Sequence, residues 1–368
     1  MDIALIYNQF YSYNGNELKI GGVETYMRYL SYLILKMQHK PIIFQLSESD
    51  FIKEYNGIKI FGFECKNVKE LYCKALENIS NPSVIIFMSD QFSFKVKHSH
   101  RVLLIQHGIS WDKPYTNGCQ LANYLKRFKM IIRAILDFNH AKNRVCVDYN
   151  FYNWYKTFCA NHIPQHINII PNFAEKVISK NDLLLKVNKS NEIIKIIFAR
   201  RFYDYRGSLL FAKVMRNILI QHSNIQLTIA GEGPCENEMR NILKDFTCVD
   251  FITYSPEDSY KIHLDKDIAV IPTIGSEGTS LSLLEAMGAG CLVVSTPIGG
   301  MSNIVIDGYN GLMSMPNEGS LEKTINKAIA NIKDYNIRFN AVETIRNSFS
   351  LKNWENQWKE VLIDIMEN

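Results

Sequence analysis

Along nearly the whole chain, short apolar runs rich in Ile, Val, Leu and Phe alternate with amphipathic stretches of helical period. Parallel strands cannot be joined by a tight turn and need a crossover, so this alternation predicts an α/β fold whose parallel sheets are wrapped by helices. In the first half, strands are predicted at 3–7, 41–46, 84–89, 102–106, 145–148 and 167–171. Further strands are predicted at 194–199, 227–230, 251–254, 268–272 and 292–295. Between the first two runs, Val23, Tyr26, Met27, Leu30, Leu33, Ile34 and Met37 recur at helical spacing, which places one stripe on a sheet and leaves Arg28 and Lys36 in water. Residues 174–192 turn to Lys, Asn, Ser and Asp, the composition of an interdomain connection. At 368 residues the chain exceeds one compact core. The pattern resolves into two doubly wound domains, 1–175 and 190–345, followed by a helix at 350–368. Trp354, Trp358, Leu362 and Ile365 share one face of that helix, which is expected to pack across the domain junction.

Composition narrows the partners. Hydrophobic residues at 47% and charged residues at 21% are those of a folded globular enzyme rather than a disordered chain. A net charge of +4 is too small for bulk nucleic-acid binding, so none is expected. No uncharged apolar run approaches the ~20 residues that span a bilayer. The N-terminal residues read as a first strand rather than a signal peptide, so a cytoplasmic location is expected. Eight cysteines without Cys-x-x-Cys spacing read as buried, reduced, small hydrophobes, and no metal site is expected.

The segment richest in chemistry is Glu277-Gly278-Thr279-Ser280-Leu281-Ser282-Leu283-Leu284-Glu285, which follows the strand at 268–272 and runs into a helix that Gly288 and Gly290 terminate. The amides of Gly278, Thr279, Ser280 and Leu281, with the positive end of a helix dipole behind them, offer a site for a diphosphate. If the segment were helical throughout, the two carboxylates would stand about 12 Å apart, a spacing for two hydroxyl-bearing ends of one ligand. The alternative is a capping segment with two solvated glutamates. A second cluster, Arg200-Arg201-Phe202-Tyr203-Asp204-Tyr205-Arg206-Gly207, follows the strand at 194–199, at the strand end where α/β folds place their ligands; the alternative is a solvated basic loop. Gly21-Gly22-Val23-Glu24 between the first strand and helix lets backbone approach a ligand, or serves turn geometry alone. Gln106-His107-Gly108 closes another strand.

These segments, with Ala286-Met287-Gly288-Ala289-Gly290, Pro297-Ile298-Gly299-Gly300-Met301-Ser302-Asn303 and Asp307-Gly308-Tyr309-Asn310-Gly311-Leu312, resemble the retaining GT-B glycosyltransferases of family 4, also termed group 1. The likeness covers about residues 190–320 and, in the first half, short motifs. It implies a GT-B fold: two Rossmann-like domains facing a cleft, an acceptor-side domain and a nucleotide-sugar domain, with a C-terminal helix crossing their junction. It also implies sugar transfer from a nucleoside diphosphate donor without metal or other cofactor. The implied catalytic residues are Glu277, on the transferred sugar, Arg201 and Arg206, gripping the diphosphate, and His107, near the sugar and acceptor. The implied donor-binding residues are Gly21, Gly22, Gly278, Thr279, Ser280, Leu281, Glu285 on the ribose and Tyr254 beside the base. Three positions depart from the family pattern: Arg200 stands for glycine, Arg206 for lysine and Asn303 for glutamate. Arg206 keeps the charge and adds a bidentate fork, whereas Arg200 either reshapes the phosphate pocket or points outward.

Two further motifs are read as imitations. Gly231-Glu232-Gly233-Pro234-Cys235-Glu236 lacks the third glycine of a dinucleotide fingerprint, and Asp265-Lys266-Asp267 precedes its strand, as a helix-to-strand connection does. His98 and His100 read as a solvated pair, and Pro164 between His162 and His166 argues against a helical metal pair. Lys126, Arg127, Lys129 and Arg133 interleave with apolar residues in a basic amphipathic helix, which either lies on an anionic membrane at the inner face of the plasma membrane or packs on the first sheet. The expected activity is transfer of a hexosyl group to a lipid-linked saccharide in surface polysaccharide assembly. The alternatives are a nucleotide-sugar 2-epimerase of the same fold and a catalytically silent nucleotide-sugar-binding partner.

Overall fold

The computed structural model describes residues 1–79, 82–96, 101–114, 119–159, 166–189 and 192–367. His98, His100, His162 and Pro164 lie outside the described residues. The chain divides into two compact units, one comprising Met1–His107, Cys119–Ile170 and Glu355–Asn368, the other Gly108–Gly118 and Pro171–Trp354.

The first unit is built on eight strands: β1 (Asp2–Tyr7), β2 (Lys40–Ser47), β3 (Phe51–Tyr55), β4 (Ile58–Glu64), β5 (Pro82–Phe87), β6 (Val102–Gln106), β7 (Asn143–Cys146) and β8 (Ile167–Ile169). They form one sheet in the order β3-β4-β2-β1-β5-β6-β7-β8, parallel except for the antiparallel β3–β4 pair. Its helices are α1 (Gly22–Lys36), α2 (Val68–Glu77), α3 (Gln120–Phe138) and α4 (Tyr149–Phe158). The β3–β4 hairpin stands where no strand is expected from the apolar runs. Its turn is Asn56-Gly57 with φ of 48° and 79°, the two-residue geometry that Asn-Gly favours. Arg28 is buried rather than wet, because α1 is covered over more of its circumference than one apolar stripe.

Helix α3 does not pack its apolar stripe on the sheet. Leu121, Tyr124, Leu125, Phe128, Ile132 and Leu136 are exposed and share one face at helical spacing. Phe138 is the buried residue of the helix. Lys126, Lys129 and Arg133 are exposed beside the stripe, and Arg127 is half-buried on another side.

The second unit holds β9 (Ile194–Ala199), β10 (Ile225–Ala230), β11 (Val249–Ile252), β12 (Ile268–Ile271), β13 (Leu292–Ser295) and β14 (Leu312–Met313). All pair in parallel, in the order β11-β10-β9-β12-β13-β14. Renumbered from β9, this is the 3-2-1-4-5-6 order of a doubly wound sheet, in which the direction of winding reverses between β9 and β12. Its helices are α5 (Lys180–Asn188), α6 (Ser208–Gln221), α7 (Glu236–Leu243), α8 (Ser259–Leu264), α9 (Leu281–Gly288), α10 (Glu318–Ala330) and α11 (Tyr335–Ser348). The stretch read as a connection contains α5: Ser179 accepts from the Asp182 amide as N-cap, and Leu183 and Val187 are buried against Ile178 and Val342. Two apolar residues one turn apart suffice for so short a helix, which is why polar composition concealed it.

The last helix is α12 (Leu351–Glu367). Trp354, grouped with the second unit, packs on Phe173 with ring centroids 4.7 Å apart. Trp358, grouped with the first, donates its indole N–H to Tyr26 Oη at 2.7 Å. The cysteines are less buried than composition implies: Cys146 and Cys291 are buried, but Cys73 and Cys119 are exposed and the rest half-buried. None forms a disulfide.

Candidate functional site

In the second unit the reversal point brings together the carboxyl ends of β9 and β12. Arg200 leaves β9 pointing inward and is buried. Its Nη2 donates to Glu277 Oε2 at 2.5 Å and its Nη1 donates to Thr273 Oγ1 at 2.6 Å. The Thr273 hydroxyl in turn donates a hydrogen bond to the same Glu277 oxygen at 3.0 Å. Arg206, on the 3-10 turn Asp204–Arg206, places Nη1 against that oxygen as well. Two guanidinium groups and a hydroxyl thus converge on one carboxylate oxygen. Burial alone would raise the Glu277 carboxyl, but Arg206 and Arg200 outweigh it and hold the group at about 2. Counting charges, the cluster carries one cation in excess.

Backbone packing sets this geometry. Gly207 has φ of 80°, and a Cβ there would stand 1.9 Å from the Pro272 carbonyl oxygen. Gly299 has φ of 57° and would meet the Glu277 carbonyl oxygen at the same 1.9 Å. Only glycine fits either position, which lets the loops after β9, β12 and β13 touch main chain to main chain. Between β12 and α9, Ser276 adopts φ of 60° and its amide donates to Asp112 Oδ1 at 2.7 Å.

Glu277 and Glu285 are not on one continuous helix. Helix α9 begins at Leu281 with Ser280 as N-cap, so Glu277 lies in the preceding loop and Glu285 in the helix. The Ser280 side chain makes no capping hydrogen bond, and the first-turn amides of α9 have no intrahelical acceptors. Gly278 is half-buried, whereas Thr279 and Ser280 are buried; the Thr279 carbonyl accepts from Asn172 Nδ2 at 2.6 Å. Glu285 Oε2 accepts from Ser259 Oγ at 2.6 Å. Burial pushes this carboxyl up to about 7, against the hydrogen bond from Ser259. Tyr254 lies in the loop after β11, half-buried, and burial followed by the nearby Glu285 raises its phenol above the ordinary value. The two glutamates therefore differ near neutrality, Glu277 ionised and Glu285 close to half-protonated.

The raised Glu285 value makes a stability prediction. Its folded value lies above the ordinary 4.5, so its stabilising contribution is complete below that value and is lost as pH rises through about 7. The Tm difference between wild type and Glu285→Gln is expected to shift against wild type between about pH 5 and pH 8, then level off. A pH-independent difference would show that Glu285 titrates normally.

Arg201 stands apart from this cluster. It is exposed, with its guanidinium 5.8 Å from the centre of the Tyr203 ring. Arg200 is the residue that turns inward, which decides against its outward alternative. Thr273 and Ser259 thus join the site although the motifs do not single them out for it. Asp265 pairs with Lys195 and Lys266, and Asp267 accepts from the Lys195 amide at 3.0 Å; both join α8 to β12. Among the described residues no three His, Cys, Asp or Glu side chains are grouped to hold a metal.

The remaining candidates lie in the first unit. Gly21 is the extended N-cap of α1 and Gly22 its first residue; a Cβ on Gly21 would meet Glu24 Oε2 at 2.2 Å. His107 follows β6 and donates Nε2–H to the Met88 carbonyl at 2.8 Å, with its ring edge-on to Tyr26 at 5.4 Å. Burial holds this imidazole at about 4, so it is neutral near pH 7 with Nδ1 unprotonated.

The fold is that of the GT-B glycosyltransferases, two α/β units each with its own largely parallel sheet. The sequence model of the glycosyl transferases group 1 family matches residues 180–343, which include the whole Arg200–Arg206–Glu277 cluster. The chain is 24% identical over 219 residues to the lipopolysaccharide 1,2-N-acetylglucosaminetransferase of Salmonella typhimurium, a stretch covering 55% of this chain and 57% of that protein. Its structure is similar to the sucrose-phosphate synthase of Thermosynechococcus elongatus, with a TM-score of 0.77 and 15% identity over 100% of this chain and 99% of that one. It is also similar to Anabaena Alr3699/HepE in complex with UDP-glucose, with a TM-score of 0.70 and 15% identity over 99% and 100% of the two chains.

Proposed function

We propose that the protein is a retaining glycosyltransferase that moves a hexosyl group from a nucleoside diphosphate sugar to a hydroxyl of a lipid-linked saccharide during surface polysaccharide assembly. The observation that carries this reading is the cationic surplus around Glu277 at the reversal point of the second sheet. When the glycosidic bond to the donor breaks, negative charge grows on the departing diphosphate. The charge on Arg206 and the first-turn amides of α9 offer positive ends to this charge, the kind of fixed electrostatics that usually supplies the largest catalytic term. In this reading Glu277 accepts from a sugar hydroxyl and Glu285 from the ribose. The Salmonella relative, a lipopolysaccharide N-acetylglucosaminetransferase, and the Anabaena protein's complex with UDP-glucose support the donor and acceptor classes.

A panel of UDP-, GDP- and ADP-sugars tests the reading by thermal shift. One donor at 100 times its Kd is expected to stabilise by about 2.7 kcal/mol and to yield sugar transfer with an added acceptor. An epimerised sugar nucleotide released without acceptor, or binding without turnover, would overturn it.

The exposed face of α3 supports a membrane-bound acceptor on the cytoplasmic side. Six apolar side chains lie in one stripe with three cations alongside, the pattern of a helix that lies in an anionic lipid interface. Each cation near such a surface is worth ~1 kcal/mol. Replacing Lys126, Lys129 and Arg133 together by glutamine is therefore expected to weaken binding to phosphatidylglycerol-containing vesicles on the order of 100-fold. Unchanged binding would remove α3 from the reading.

A further inference from the structure

We infer that Arg200 is a positioning residue that acts through Glu277, keeping this carboxylate ionised and oriented while Arg206 is engaged by the departing diphosphate. The inference rests on the proposed transferase reading and deepens it. Arg200 has the contacts for this task. It is buried, and its two terminal nitrogens span Thr273 Oγ1 and Glu277 Oε2 at 2.6 and 2.5 Å. Thr273 closes a three-membered ring of contacts by donating to the same carboxylate oxygen. Among the described residues, the side-chain hydrogen bonds and ion pairs of Glu277 all fall on Oε2 and none on Oε1.

The consequence is a division of labour. Were Arg206 the sole cation on Glu277, the pair would be neutral, and moving Arg206 toward a phosphate would leave a buried carboxylate uncompensated, which is costly. Arg200 removes that conflict. It supplies the second positive charge, so Arg206 can turn to a diphosphate while Glu277 keeps one guanidinium and one hydroxyl on Oε2 and offers Oε1 to a sugar hydroxyl. The fork matters as well as the charge, because a single ammonium cannot reach Thr273 and Glu277 along two fixed directions.

The test combines a conservative variant with a double-mutant cycle. Arg200→Lys is expected to lower kcat about 10- to 100-fold while the KM for the sugar nucleotide and the Kd for the free nucleoside diphosphate stay within about threefold, the signature of an interaction realised in the transition state. Arg200→Ala is expected to weaken both. In Glu277→Gln, adding Arg200→Lys is expected to cost less than threefold further in kcat, since residues that act as a unit are non-additive. Wild-type kcat in Arg200→Lys, or multiplicative losses in the double variant, would overturn the inference. A nucleotide-free arm keeps it separable from the transferase reading. The Tm changes of Arg200→Lys, Glu277→Gln and the double variant are expected to be strongly non-additive even if no nucleoside diphosphate binds, whereas additive changes would refute the coupling whatever the activity.

Discussion

Glu277→Ala is expected to lower the Tm by about 6–20 °C and to abolish measurable transfer. The stability loss follows from what remains behind. Arg200 and Arg206 keep side-chain exposures of 6% and 16%, so removing their shared carboxylate leaves two guanidinium groups facing each other with little water to screen them. Breaking a buried pair from one side costs about 3–5 kcal/mol, and in a unit of this size each kcal/mol moves the midpoint by about 2–4 °C. Thermal unfolding followed by circular dichroism reads this directly. Glu277→Gln, which keeps shape and removes charge, separates folding from chemistry: it is expected to fold with a smaller loss yet retain only a small, measurable fraction of the transfer rate. A Glu277→Ala protein that melts with wild type would mean that the carboxylate is solvated.

Arg206→Ala is expected to reduce kcat by ~10² to 10³, the usual consequence of deleting one preorganised donor to a developing anion. Its guanidinium sits beside the Tyr205 ring, 5.2 Å from the centre, and its charge is favoured by Glu277 despite burial. It is therefore charged, ordered and little hydrated before any ligand arrives. Arg206→Lys is expected to keep activity within about tenfold, because it restores the residue that the resembling family carries and preserves the charge while giving up the fork. Steady-state kinetics with a saturating acceptor distinguish the two variants. Equal and severe losses in both would mean that the planar fork, rather than the charge, is what the reaction uses.

Much of this site was legible before any coordinates. The strand ends at Ala199 and near Pro272, the Glu277–Glu285 spacing and the glycines Gly207, Gly278, Gly288 and Gly290 all point to the same half of the chain, because apolar runs and turn residues report local structure. The β3–β4 hairpin had a signal too, Asn56-Gly57 between two strand-length segments, but β3 alternates half-buried and exposed side chains and so lacks the apolar density of the central strands. The exposure of the α3 stripe had none: periodicity gives the amphipathic face of a helix and does not say what that face meets.

The amino-acid order by itself determined the α/β class, most of the strands and the segment that carries Glu277 and Glu285, because these depend on neighbours within a few residues. Tertiary structure alone decided that β9 and β12 are adjacent, bringing Arg200 and Glu277 together across 77 positions. It also decided which of two consecutive arginines faces the carboxylate. Successive side chains at the end of a strand point to opposite sides, so one of Arg200 and Arg201 had to turn inward, and only the pairing of the strands selects which.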